Sequence, residues 1–227
     1  MAPGVSTKLP IGQTEISDFP RWGLVEQWPT IPARPTLMLG GDVSTPFELA
    51  LDDLATLPRH EQTSDFHCVT TWTRRGLTWG GYRLRDFYEQ IFLPRTIPDR
   101  GVKHLVFLCL DHVWTGLPLE DALAEDVMLA DTLDGEPLSV EHGSPLRLVA
   151  PAHYGYKSAK HLSAIRVVRG SPGARHLGEH PRGRVALEER GQGRSGPEFR
   201  ATYAAALPDM LAYFEQAAAR KPRVDTR

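Results

Sequence analysis

One thiol draws attention in DFHCVTTWTRRGLTWGGYRLRDF, residues 65–87, where Cys68 follows His67 directly and precedes a β-branched run. An imidazolium next to a thiol lowers its pKa and raises its thiolate fraction, so Cys68 is a candidate nucleophile. The same thiolate would suit a soft or high-valent metal. No CxxC or HxxxH spacing surrounds it, so a metal held here must take most of its ligands from elsewhere. The third reading is a structural thiol, a small apolar group inside the fold. Cys109 lies in the apolar run HLVFLCLDH and reads as that kind of buried cysteine. Two cysteines do not make a disulfide framework, although a single bridge remains arithmetically open.

A second set of residues handles anions. EHGSPLRLVAP sets His142 ahead of a strand and Arg147 inside it, and YGYKSAKHLS supplies Lys157, Ser158 and Lys160 with small Gly155 and Ala159 between them. Arg offers a planar fork to phosphate, Lys a point charge and Ser a hydroxyl, and small residues let backbone amides approach an oxyanion. Together they suit a phosphorylated cofactor. Each also has an ordinary reading: charges on a solvated strand face, and Ser158 as the N-cap of a one-turn helix.

These side chains must be positioned by one domain of ordinary size, since 227 residues leave little room for two. The composition is that of a soluble globular protein, with 41% hydrophobic and 24% charged residues and a net charge of −2. A nucleic-acid partner is not expected without a basic excess. No run approaches the roughly 18 apolar residues of a membrane helix, and the N-terminus lacks a signal-like apolar core, so the expected location is cytoplasmic.

Residues 1–30 read as an ordered arm, because Phe19, Trp22 and Trp28 bury too much area to be left in a free tail. TLMLGGDV reads as a strand, and FELALDDLATLP as a short strand and a helix stopped by Pro58. HCVTTWT is strand-like, with Cys68 at a strand or loop edge. Gly80-Gly81 allows a turn before the amphipathic helix RLRDFYEQIF. VKHLVFLCL reads as a strand buried on both faces, LPLEDALAED as a helix and VMLADTL as a strand. Asp134-Gly135 marks a tight turn, and LRLVAP and AIRVVR are further strands. The fold class is therefore α+β, with mixed β-sheets and short helices over 31–170. A Gly/Arg-rich loop and a C-terminal helical extension follow over 171–227.

FHCVTTW, GYRLRDF, LADTLDGEPLSVEHGSPLRLVAP and GYKSAKHL, in this order, resemble the sulfite-oxidase family of molybdopterin-dependent oxidoreductases. The resemblance runs from about Phe19 to Val168 and is nearest to short bacterial members with neither a haem domain nor a dimerisation domain. It implies the sulfite-oxidase molybdopterin-domain fold and a molybdenum–molybdopterin cofactor with a single pterin. Cys68 matches the thiolate that ligates molybdenum, making it both the metal ligand and the catalytic residue. His142 and Arg147 match the pair that holds the pterin, and Ser158, Ala159 and Lys160 match the Ser-x-Lys that follows. Asp111 matches an aspartate near the pterin, and FPRWG brings Arg21 or Trp22 to the cofactor from the arm.

One departure bears on substrate. About twenty residues beyond Lys160, where sulfite oxidases carry a tyrosine, this chain has GEHPRGR, with His180, Arg182 and Arg184 and no tyrosine, which argues against sulfite itself. Those residues line the mouth for another anion or form a solvated linker.

The implied reaction is two-electron oxygen-atom transfer on a small substrate such as an S-oxide, an N-oxide or a sulfite-like anion. No CxxCH or flavin fingerprint is present, so electrons are expected through a separate partner, a cytochrome or another carrier. Two alternatives stay open: a hydrolase or transferase with Cys68 as nucleophile, and a pterin-binding module without turnover.

Overall fold

The computed structural model describes residues 9–10, 12–20, 28–68 and 71–170. Two mixed sheets make up the frame. In the first, β1 (Thr14–Glu15), β5 (Trp72–Arg83), β8 (Met128–Leu133) and β10 (Arg147–Val149) are neighbours in that order; β4 (Arg59–His67) pairs with β5, and β9 (Glu136–Pro137) with β8. The second runs β3 (Phe47–Ala50), β2 (Thr36–Gly41), β11 (Leu162–Val168), β6 (His104–Cys109), β7 (Trp114–Pro118). Most neighbours are antiparallel, whereas β1 on β5 and β11 on β2 are parallel. The expected α+β class with mixed sheets and short helices is what the chain adopts.

The larger core lies between the sheets. Leu39, Leu105, Phe107 and Val167 of the second sheet meet Tyr82, Leu129 and Leu148 of the first. Helical segments α1 (Leu84–Phe87) and α2 (Leu93–Thr96), joined by a π-type turn over Tyr88–Phe92, add Phe87 and Phe92. The opposite face of the first sheet carries a smaller cluster of Leu77, Trp79, Met128, Ala130 and Val149, covered by Phe19 and Phe66. The period of two along β8 and β10 produces this division: Leu129 and Leu148 face one side, Met128, Ala130 and Val149 the other. Arg147, paired with Ala130, falls on the side of the smaller cluster.

Several expected elements are corrected. Gly80-Gly81 is no turn: β5 runs through it, and the ladder to β8 slips by one residue there. A Cβ on Gly81 would collide with the Leu129 carbonyl, so the pair permits a bulge at a close backbone approach. The strand expected across HCVTTWT is split, because β4 ends at His67 and β5 begins at Trp72, which puts Cys68 in the reversal between them. β6 alternates between buried and half-buried residues, since only one of its faces meets the core. The helix expected over 117–126 is a single turn, α3 (Leu119–Ala122). Asp134-Gly135 does form the β8–β9 turn, with both residues at positive φ. The loop and helix expected over 171–227 lie outside the described residues.

Candidate active site

Cys68 is buried and forms no disulfide. Its N–H donates to the Trp72 carbonyl at 2.8 Å, and Thr71, at φ 76°, donates its own N–H to the Cys68 carbonyl at 3.1 Å. A non-glycine residue in the left-handed region marks a reversal fixed by its surroundings. His67 does not simply lie beside the thiol as a base: its Nδ1 contacts Thr73 Oγ1 at 2.9 Å across the hairpin. Among the described residues no three His, Cys, Asp or Glu side chains gather as a metal-binding group.

Aromatic rings connect this turn to the anion-handling residues. Phe66 stacks on Trp72 with centroids 6.0 Å apart, and Phe19 meets Phe66 edge-on at 5.0 Å. On its other side Phe19 lies parallel to the His142 imidazole at 4.8 Å. The Arg147 guanidinium sits 4.8 Å from the Trp79 ring centroid and 5.7 Å from that of Phe66. Gly155 packs its backbone on Phe66, where a Cβ would overlap the ring, so the loop carrying Ser158 and Lys160 closes on the same cluster.

Arg147 is the electrostatic centre. It is 2% exposed, and its acceptors are all backbone carbonyls: His142 at 2.7 Å, Ser158 at 3.2 Å and Leu148 at 3.4 Å. No carboxylate pairs with it among the described residues. Burial pushes the guanidinium down to about 9, which still leaves it a cation at neutral pH. A buried charge without a counter-ion is costly unless an anion arrives to pair with it. Lys160 stands close by: its Cγ and the Arg147 side chain flank Gly143, and its Nζ donates to the Glu141 carbonyl at 3.1 Å and lies 5.5 Å from the Trp28 ring centroid. Desolvation first, then the charges of Arg147 and Lys160, hold His142 below the ordinary histidine range.

The remaining predicted residues have mixed outcomes. Ser158 is buried, but it follows the 3₁₀ turn Gly155–Lys157 instead of capping its N-terminus, and its Oγ accepts from the Ala150 N–H at 3.2 Å. Ala159, also buried, accepts the Leu148 N–H at 2.8 Å and so registers the loop on β10. Lys157 is directed to the second sheet, donating to the Gly116 carbonyl at 2.8 Å. Asp111 accepts the Val113 N–H at 3.2 Å as a turn residue, and its charge reaches His161 and Cys109. Burial, then Asp111, pushes the Cys109 thiol well up, as befits an inert core cysteine. Arg21 and Trp22 lie outside the described residues.

Sequence reasoning missed His161. It is buried at φ 61°, donates from Nδ1 to the Ser144 carbonyl at 2.8 Å, and is held below the usual range by burial. Its only sequence signal was its place next to Lys160.

A cysteine in a tight reversal, joined through Trp72 and Phe66 to a buried arginine with no carboxylate partner among the described residues, suits a metal held chiefly by an anionic organic chelator. The oxidoreductase molybdopterin-binding domain model matches residues 26–174. The chain belongs to that family. Its cofactor is accordingly molybdenum–molybdopterin, and it is an oxidoreductase. It is 37% identical over 169 residues to the uncharacterized oxidoreductase YuiH of Bacillus subtilis (strain 168), covering 73% of this chain and 76% of that protein. It is 28% identical over 149 residues to the protein-methionine-sulfoxide reductase catalytic subunit MsrP of Campylobacter jejuni, covering 59% of this chain and 49% of MsrP. Sulfite oxidase of Arabidopsis thaliana is 28% identical over 163 residues, 59% of this chain and 42% of that protein. The match thus spans about half or less of these two relatives. The sulfane dehydrogenase SoxCD of Paracoccus pantotrophus shares the fold, with a TM-score of 0.54 at 23% identity over 62% of this chain and 40% of that one.

Proposed function

We propose that this molybdopterin oxidoreductase catalyses two-electron oxygen-atom transfer on a small S-oxide, N-oxide or sulfite-like anion. When bound, the cofactor supplies the metal at which oxygen and the electron pair are exchanged. Cys68 would be the metal's single protein ligand, presented by the β4–β5 reversal. Arg147 and Lys160 would hold the cofactor's anionic end, His142 would line it from the Phe19 side, and the Ser158–Ala159 backbone would set the distance between loop and β10. Asp111 would sit at the rim. The observation that carries this reading is Arg147, a buried cation with no carboxylate partner among the described residues, linked to the Cys68 turn through Phe66 and Phe19. The relative named as protein-methionine-sulfoxide reductase catalytic subunit MsrP supports the S-oxide among the candidate substrates. Electrons would be delivered by a separate carrier protein.

The test is direct. Protein from a host that makes the cofactor is expected to contain molybdenum and pterin and to turn over S-oxides or N-oxides with a reduced dye. Cys68→Ser is expected to keep the pterin and lose turnover. Retained turnover in that variant, or protein without molybdenum from a competent host, would overturn the proposal.

A further inference from the structure

Gln13, in the arm just before β1, touches both the Cys68 turn and the hairpin that carries it. Its Nε2 donates to the Cys68 carbonyl at 3.0 Å, and its Oε1 accepts from Thr73 Oγ1 at 3.1 Å. Only this orientation of the amide satisfies both contacts, because a flip would set oxygen against the Cys68 carbonyl. The Thr73 hydroxyl has one proton and gives it to Gln13, so its 2.9 Å contact with His67 is donated by imidazole Nδ1–H. Thr73 is fully buried and His67 nearly so, which makes this chain of hydrogen bonds a shielded one. The arm backbone adds two more bonds: Thr14 N–H donates to the Thr71 carbonyl at 2.9 Å and Ile16 N–H to that of Thr73 at 3.0 Å.

We infer that Gln13 is a positioning residue for the Cys68 thiolate, locking the peptide that aims Sγ from a segment about 55 residues earlier in the chain. The inference rests on the reading of Cys68 as the metal's ligand. A side chain on the turn itself could not do this, since it would move with the turn. Gln13 belongs to a separate segment, held against the hairpin by the β1–β5 pairing, and reads the Cys68 carbonyl and the Thr73 hydroxyl at once. Loss of the amide leaves the reversal to its own short-range bonds, so Sγ samples more orientations.

Two readouts test it on the full chain. In protein from a host that cannot make the cofactor, iodoacetamide labelling of the Cys68 peptide, followed by mass spectrometry, is expected to be about three- to tenfold faster in Gln13→Ala than in the unaltered chain. Thr73→Val keeps the volume, removes the hydroxyl that orients the amide, and is expected to raise the rate in the same sense. Glu15→Gln breaks the 3.2 Å Glu15–Arg75 ion pair on the same strand and is expected to leave the rate unchanged. In the molybdenum-loaded chain, Gln13→Ala is expected to broaden and shift the thiolate-to-molybdenum absorption band and to lower kcat with KM unchanged. Equal labelling in Gln13→Ala and the unaltered chain overturns the inference, as does an equal increase in Glu15→Gln, which would make the effect one of arm docking alone. Should Cys68→Ser retain turnover, the ligand reading falls while the labelling result, obtained without metal, still stands on its own.

Discussion

At the scale of single residues the site is dominated by a charge that no carboxylate among the described residues neutralises. Arg147 has carbonyl dipoles and two aromatic faces for company, which orient the guanidinium but do not pay the full cost of its burial. Two opposite effects follow from one substitution. Arg147→Met is expected to raise the melting temperature of cofactor-free protein, because an uncompensated buried charge is replaced by an apolar side chain of similar reach. The same change is expected to cut pterin retention by about ten- to a hundredfold, the loss of a charge-assisted contact of about 1.5 to 3 kcal/mol, measured by fluorescence of the oxidised pterin.

Acid should act in a defined direction on the same cluster. His142 and His161 are both held below their ordinary value in the fold, chiefly by burial. The unfolded chain therefore binds more protons than the native one as pH falls through the range just below 6.5, and stability drops on acidification. Denaturant titrations of cofactor-free protein between pH 7 and 5 are expected to show this loss, and His161→Asn to flatten it. Greater stability at pH 5 than at pH 7 would contradict the assignment.

At the scale of elements, the long strand β5 does most of the positioning. Its first residues pair with β1 and hold the arm, nearly its whole length pairs on the other edge with β4 to form the hairpin behind Cys68, and its last residues pair with β8. Gly81 makes the last pairing possible by letting the β8 backbone come close at the bulge. Gly81→Ala is expected to destabilise the protein by about 1 to 3 kcal/mol, read as a lower denaturant midpoint, because either the ladder opens or the backbone is strained. Gly155 plays the corresponding part for the cofactor loop, since a side chain there would push the loop off Phe66. Gly155→Val should therefore lower molybdenum content more than it lowers the melting temperature.

For the molecule as a whole, the two cores have different duties. The larger one between the sheets holds the fold: Phe107 is fully buried there, and Phe107→Ala is expected to cost about 3 to 5 kcal/mol in chemical denaturation. The smaller one, on the far face of the first sheet, is where Phe66 and Trp79 flank Arg147 and Phe19 packs on both rings. Because the cofactor binds the folded chain, loaded protein is expected to melt at a higher temperature than cofactor-free protein, with the gap shrinking in Arg147→Met.

Much of this was legible in the chain itself. Period-two and continuous apolar runs announce β2, β6, β8, β10 and β11, Asp134-Gly135 announces its turn, and the ordered motifs around Cys68, His142, Arg147 and Lys160 announce the family, because these depend on local chemistry and short spacing. β4 carries no such signal, since RHEQTSDFH is largely polar and becomes a strand through its pairing with β5. Gly80-Gly81 reads as a turn from local freedom alone and becomes a bulge only because β8 lies against it. Gln13 and His161 carry no signal of their own: one reaches Cys68 across about 55 residues, the other is turned inward by backbone conformation. Residue types and their order determine which chemistry the chain can carry; which distant groups aim and charge that chemistry is decided by strand pairing, whose partners are set by whole faces burying together and not by any neighbouring residue.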